Sequence, residues 1–276
     1  MCAPERTYVL KNYRQTGFDR GLRNVSFSAL MPMLPLIHKA DTVARPDRNT
    51  LVAEDYFAGG AIRPVPCDVF GEDLIYTYVG RPAYRELLRP VCFILRPAPE
   101  LLQNLFIFDT GAYCTNRYGK IVDNVVDVNH FRIPAEADTI RRFIIRYFGD
   151  NESYYWGLPR DQHEIEMMDS LEEFDYSMLM KVLRFSRLGF DTRCRTLENI
   201  LRTPISLEKY LQGVILPESR SASAAFMAYR DRCGADLDIL LYDDERGQAG
   251  AGICKSRLDA ALFEYYADKG YMTNEP

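Results

Sequence analysis

Asp73-Leu74-Ile75-Tyr76-Thr77-Tyr78-Val79 runs into Gly80-Arg81-Pro82, and two further apolar runs follow: Val91-Cys92-Phe93-Ile94-Leu95 and Leu105-Phe106-Ile107-Phe108-Asp109. β-Branched and aromatic residues dominate all three, and Gly80, Pro90, Pro97, Pro99 and Gly111 punctuate them, so each reads as a short strand. Upstream, residues 24–28 read as an opening strand. Pro32 and Pro35 prevent a regular helix over residues 29–38. Residues 39–68 read as a loop-rich stretch because Pro46, Gly59-Gly60, Pro64 and Pro66 interrupt them.

Downstream, Ile140, Phe143, Ile144, Tyr147 and Phe148 recur at helical spacing, with Arg141, Arg142 and Arg146 on the other side and Gly149 at the end. A second helix is expected over residues 170–188, then a strand carrying Glu198, a helical turn at 207–211 and a strand at 214–216 stopped by Pro217. A helix at 222–232, a strand at 237–242 and a terminal helix at 257–269 capped by Ser256 complete the chain. Strands and helices do not alternate regularly, which places the chain in the α+β class with a mixed or antiparallel sheet. One domain over residues 1–276 is expected, with a helical insertion at about 135–190 and a C-terminal α/β extension at about 220–276.

The 276 residues carry 34 Lys and Arg against 39 Asp and Glu, a net charge of −5, and 47% are hydrophobic, enough to bury a core. The apolar runs are too short for a membrane helix. Residues 1–24, with Arg6, Arg14, Arg20 and Arg23, lack the apolar stretch of a secretory leader, so a cytoplasmic location is expected. Seven cysteines without a CxxC spacing read as thiols rather than a disulfide framework. With His38, His130 and His163 the only histidines and no HExxH, no metal is expected. GxxxxGK[ST], GxGxxG and GxSxG are all missing. The glycines between Gly247 and Gly252 read as a flexible loop.

Two segments carry chemistry. Gly80 allows an unusual turn, and Pro82 biases Arg81 toward an extended conformation at a strand end, where its guanidinium can address a carboxylate or phosphate bidentately. Tyr84 offers a flat face nearby. Composition alone leaves Arg81 equally readable as a snorkelling arginine in a surface turn. In the second segment, Cys194, Thr196 and Glu198 alternate onto one face and Arg195 and Leu197 onto the other. Glu198 then either enters a cleft or is an ordinary exposed acid.

The order of these pieces over residues 24–217 resembles the DarT-type ADP-ribosyltransferases, toxins that use NAD to modify nucleic-acid bases. The matching residues are Tyr76 and Tyr78 on an aromatic strand, the Arg81-Pro82 turn, Glu198 on a later strand, then Pro204 and residues 214–217. The resemblance implies an ADP-ribosyltransferase-like mixed or antiparallel β core with flanking helices and NAD as co-substrate. It makes Glu198 and Arg63 the catalytic pair, Arg45 and Arg48 being weaker matches for Arg63. Ser26, Ser28, Tyr78, Arg81 and Tyr84 would bind the dinucleotide. Ser26-Phe27-Ser28 stands where related transferases have a histidine followed by Thr or Ser. Implied partners are single-stranded DNA or RNA as acceptor and an antitoxin protein, as in toxin–antitoxin or phage-defence systems.

The acidic balance counts against a nucleic-acid acceptor. Local arginine groups at 81–89, 141–146 and 184–195 count for one. A transferase acting on protein and a non-catalytic α+β protein-binding module remain alternatives. In the latter, Tyr154-Tyr155-Trp156 and Tyr265-Tyr266 would anchor an interface, although core packing is the commoner use of such rings.

Overall fold

The computed structural model describes residues 8–26, 31–42, 51–81, 83, 87–114, 127–168, 171–183, 193–233 and 236–272. In chain order the strands are β1 (Leu36–Ala40), β2 (Ala61–Ile62), β3 (Val65–Cys67), β4 (Glu72–Val79), β5 (Val91–Leu95), β6 (Asn104–Phe106), β7 (Arg132–Ile133), β8 (Glu198–Leu201), β9 (Ile205–Ser206), β10 (Leu211–Pro217) and β11 (Asp238–Tyr242). The helices are α1 (Gly17–Leu22), α2 (Ala53–Gly59), α3 (Thr110–Cys114), α4 (Ala137–Tyr147), α5 (Asn151–Trp156), α6 (Gln162–Met168), α7 (Glu173–Leu183), α8 (Leu207–Tyr210), α9 (Ala224–Cys233) and α10 (Ala251–Asp268). The fold is α+β.

A central sheet runs β11-β10-β5-β1-β4-β8-β6-β7, with β3 also on β4. Its pairings are antiparallel except β10 with β11. Register fixes which side chains share a face. Ile37 stands opposite Tyr78, Tyr78 opposite Glu198, and Glu198 opposite Phe106. Because directly opposed residues project to the same side and alternate residues share it, Lys39 and Tyr76 belong to that face too.

The other face carries His38 and Phe93. His38 meets Tyr56, and Phe93 packs on Phe57, which in turn touches Phe226 and Tyr229, so α2 and α9 cover this side. α10 packs against β10 and β11. Its buried residues Cys254, Leu258, Leu262 and Tyr265 recur at helical spacing. β11 hydrogen-bonds into the same sheet, so residues 238–242 are one of its strands.

Several expectations are corrected. Residues 24–26 form no strand, and 27–30 lie outside the described residues; the first strand is β1, immediately after Pro35. The stretch read as loop contains α2, because Tyr56 and Phe57 bury against the sheet and the left-handed Gly60 ends the helix (φ 65°). α10 begins at Ala251 and takes in Gly252, with Gly250 rather than Ser256 at its N-cap. The buried face starting at Cys254 outweighs the poor helix propensity of glycine. The expected helix at 170–188 is seen as α7 over Glu173–Leu183; residues 184–192 lie outside the described set.

The candidate interface rings are mostly core. Tyr154, Tyr155, Tyr265 and Tyr266 are buried, while Trp156 is 44% exposed and packs at a tilt against Phe263 with centroids 5.0 Å apart. Of the described cysteines, Cys92, Cys114, Cys194 and Cys254 are buried thiols and Cys67 and Cys233 half-buried ones. Among the described residues no helix is long and apolar enough to cross a membrane.

Candidate functional site

β4 and β8 pair along Ile75–Tyr78 and Glu198–Leu201, which sets Tyr78 beside Glu198 in the middle of the sheet. Glu198 is 0% exposed. Its Oε2 accepts hydrogen bonds from the Thr110 amide (2.9 Å) and the Thr110 hydroxyl (2.6 Å). The Tyr78 hydroxyl lies 3.3 Å from Oε1 and donates at 2.8 Å to Oδ2 of Asp109, a second fully buried carboxyl. Asp109 in turn accepts from the Ala112 amide (2.6 Å), the bond of an N-cap residue to the third position of α3. Both acids therefore bind the first turn of α3.

A tyrosine hydroxyl has one hydrogen. Two full hydrogen bonds to Asp109 and Glu198 are made together only if one of the two carboxyls keeps its proton and returns it to the phenol oxygen. Electrostatics agree: burial, then the neighbouring Asp109, pushes the Glu198 carboxyl well above its ordinary 4.5, and the bonds from Thr110 and Tyr78 only partly oppose that. The arrangement is an acid, a phenol and a second carboxyl in line, suited to holding and passing a proton.

Across the ends of the same strands lies a cationic group. The Val79 amide donates to Leu197 O (3.0 Å), and the Tyr154 phenol donates to Val79 O (3.1 Å) while accepting from the Leu197 amide (2.9 Å). Gly80 (φ 62°) then turns the chain, and a side chain there would strike Leu34. Arg81 follows, 9% exposed, and its Nη1 is buried without a hydrogen-bond partner. Burial pushes its guanidinium below the ordinary value, and Asp259, Tyr155, Tyr154 and Arg195 all act on it electrostatically. Gly157, the left-handed cap of α5, makes this possible, since a Cβ there would lie 2.5 Å from Arg81 Nη1.

No protein-family model, no curated protein and no solved structure matches this chain. The site therefore rests on its own geometry. Glu198 and Tyr78 come together, and Arg81 stands just beyond the Val79–Leu197 bridge. Arg63 is exposed and its guanidinium lies over Gly59 at the end of α2, away from the acid pair. Ser26 is exposed and outside any strand. Ser28, Tyr84, Arg45 and Arg48 lie outside the described residues. Tyr78 is buried with its hydroxyl engaged, so it holds the acid and has no ring face to offer a ligand.

The α4 arginines are committed to main-chain carbonyls: Arg141 to Met31 O (2.9 Å), Arg142 to Arg23 O (2.7 Å) and Arg146 to Met168 O. That group reads as structural, not as a phosphate-binding face. Sequence reasoning missed Asp109 and Thr110. A signal existed for both, an Asp-Thr-Gly closing an apolar run. Among the described residues no three His, Cys, Asp or Glu side chains gather as a metal would require.

Proposed function

We propose that this chain is an NAD-dependent ADP-ribosyltransferase of ADP-ribosyltransferase-like fold. It transfers ADP-ribose to a base of single-stranded DNA or RNA, acts as a toxin in the cytoplasm and is restrained by an antitoxin protein. One observation carries the reading: a carboxyl on an inner strand, opposite an aromatic strand that ends in an arginine turn, with a tyrosine controlling its proton. The mostly antiparallel sheet with flanking helices supports it at the level of fold class.

In the reaction, the bond between ribose C1′ and the nicotinamide nitrogen breaks, and its electron pair leaves with nicotinamide. The sugar becomes oxocarbenium-like, and a base nitrogen attacks C1′ and gives up its proton to the Glu198 carboxylate. Glu198 as carboxylate opposes the developing positive charge, and the Tyr78–Asp109 pair receives the proton it must first shed. Arg81 neutralises the pyrophosphate. Substrate reaches the acid only by displacing Thr110 or Tyr78, since the carboxyl is fully enclosed.

That enclosure favours a second reading, in which Glu198 serves only to pin α3 and the chain is a non-catalytic binding module. Incubation with NAD and oligonucleotides of defined sequence separates the two, with intact-mass analysis of the acceptor and assay of released nicotinamide. Wild type should add one ADP-ribose per modified base, and Glu198→Gln should add none while staying folded. Equal turnover by both, or none with any nucleic acid, overturns the transferase reading; modification of a protein acceptor alone would overturn the nucleic-acid assignment.

A further inference from the structure

The two ends of the central sheet are finished differently. At β7 the Thr16 hydroxyl donates to Arg132 O (2.7 Å) and Arg132 Nη1 donates to Lys11 O, so the chain ahead of α1 lines that edge. At the other end β11 pairs with β10, and among the described residues no strand takes its outer edge. A row of unpaired backbone groups there is a template for another strand. Side chains add to it. Ile239 and Leu241 stand opposite Val214 and Leu216, on the side of the sheet that Phe93 shares. Val214 and Leu216 are buried there, whereas Ile239 stays 38% and Leu241 46% exposed.

α10 covers the opposite side of β11 and runs antiparallel to it. Its end meets the start of the strand, where the Tyr265 hydroxyl donates to Asp238 Oδ2 (3.3 Å) and Lys269 pairs with Asp238 (2.8 Å). Its beginning meets the end of the strand, where Arg257 donates to Asp243 O (2.7 Å) and Glu245 (3.1 Å). Ile253, Arg257, Ala261, Glu264 and Asp268 recur at helical spacing along the flank that Arg257 turns toward the sheet edge. That flank is basic before its middle and acidic after it, with small Ala261 between.

We infer that β11 pairs with β11 of a second copy, antiparallel about a two-fold axis at Leu240. The pairing sets Ile239 opposite Leu241 of the second copy, twice, and Asp238 opposite Tyr242, so no two acids face each other within the strand. α10 packs on both β10 and β11. With strands about 4.8 Å apart, it and its two-fold mate come to lie about 10 Å from each other, an ordinary helix-packing distance. The helices are then antiparallel across Ala261, and the Arg257 half of one flank meets the Glu264 and Asp268 half of the other. A second copy satisfies the backbone edge, the apolar pair and the charged flank together. The dimer is independent of any transferase activity.

Light scattering on the full chain, separated by size over a concentration series, tests this. Wild type should reach twice the mass of one chain and stop there, because a two-fold contact closes on itself. Ile239→Lys and Leu241→Glu should each raise the dissociation constant at least about tenfold, with circular dichroism like that of wild type because both side chains are exposed. The double variant, which sets each lysine opposite a glutamate, should dimerise again. A wild type that stays a single chain leaves the edge to a strand of another protein and overturns the proposal. A mass that grows past two chains, a dissociation constant unmoved by either single change, or a double variant as weak as the single ones overturns it too.

Discussion

Tyr78 and Glu198 stand directly opposite one another on antiparallel strands although 120 residues separate them in the chain, with the phenol oxygen 3.3 Å from Oε1. The same phenol holds Asp109 at 2.8 Å. A single hydroxyl thus bridges two fully buried acids and couples their proton balance.

A glutamine at position 198 can accept from Thr110 through its oxygen and donate to Tyr78 through its amide, as the protonated acid does. Glu198→Gln should therefore change stability by no more than about 1 kcal/mol. Glu198→Ala leaves the Thr110 donors buried and unmet as well as a cavity, and should cost about 2–5 kcal/mol. Denaturant unfolding of both variants checks the contrast; equal losses would count against it.

Titration gives the same acid a signature. Its folded pKa lies above the unfolded 4.5, so the folded chain holds this proton more tightly than the unfolded chain. The resulting stabilisation is complete below the unfolded value and is lost as pH rises toward the folded one. Glutamine cannot ionise. The melting temperature of Glu198→Gln minus that of wild type should widen as pH rises above the unfolded 4.5, and parallel profiles would show an acid already ionised in the native state.

His38 works in the opposite sense from the other face of the sheet. Its Nδ1 lies 2.8 Å from Tyr76 O and so carries the hydrogen, while Nε2 is buried without a partner. Burial holds its pKa at about 4, below the ordinary 6.5. Stability present above the unfolded value is then lost as pH falls from 6.5 toward 4. His38→Asn, which keeps a donor but does not titrate, should flatten that acid limb by about 1–3 kcal/mol. An unchanged limb in melting curves would rule this out.

Gly157 combines a φ of 66° with the Arg81 guanidinium 2.5 Å from where a Cβ would sit. Gly157→Ala should destabilise by about 1–2 kcal/mol. In denaturant unfolding, a variant as stable as wild type would contradict the crowding.

Reading the chain residue by residue reached β4, β5 and α4 because their patterns are local: Leu74 to Val79, Val91 to Leu95, and the 140–147 stripe each show their period within one window. Glu198 was legible as a strand residue, and Tyr78 and Arg81 as neighbours of a turn. What decides their roles is not local. That Glu198 is enclosed depends on Thr110, and that Arg81 is buried depends on Gly157 and α10, contacts set by sheet order rather than by spacing. α2 and the start of α10 were hidden because glycines and prolines dominate their flanks, while the burial that holds them comes from Phe93, Phe226 and the sheet itself. Arg63 and the α4 arginines are the converse. Their charge is visible in the sequence, but the place of Arg63 beside the end of α2 and the bonds of the α4 arginines to carbonyl groups are not.

β8 fills the slot between β4 and β6, yet it is made long after both. Until the ribosome has delivered residue 198, Tyr78 and Asp109 have no second acid between them, and β4 and β6 have no strand to join them. Such late, distant pairing makes for slow assembly. It also means that a product cut or stalled before residue 198 lacks the site altogether: whatever the acid pair does, only a chain that has reached β8 can do it.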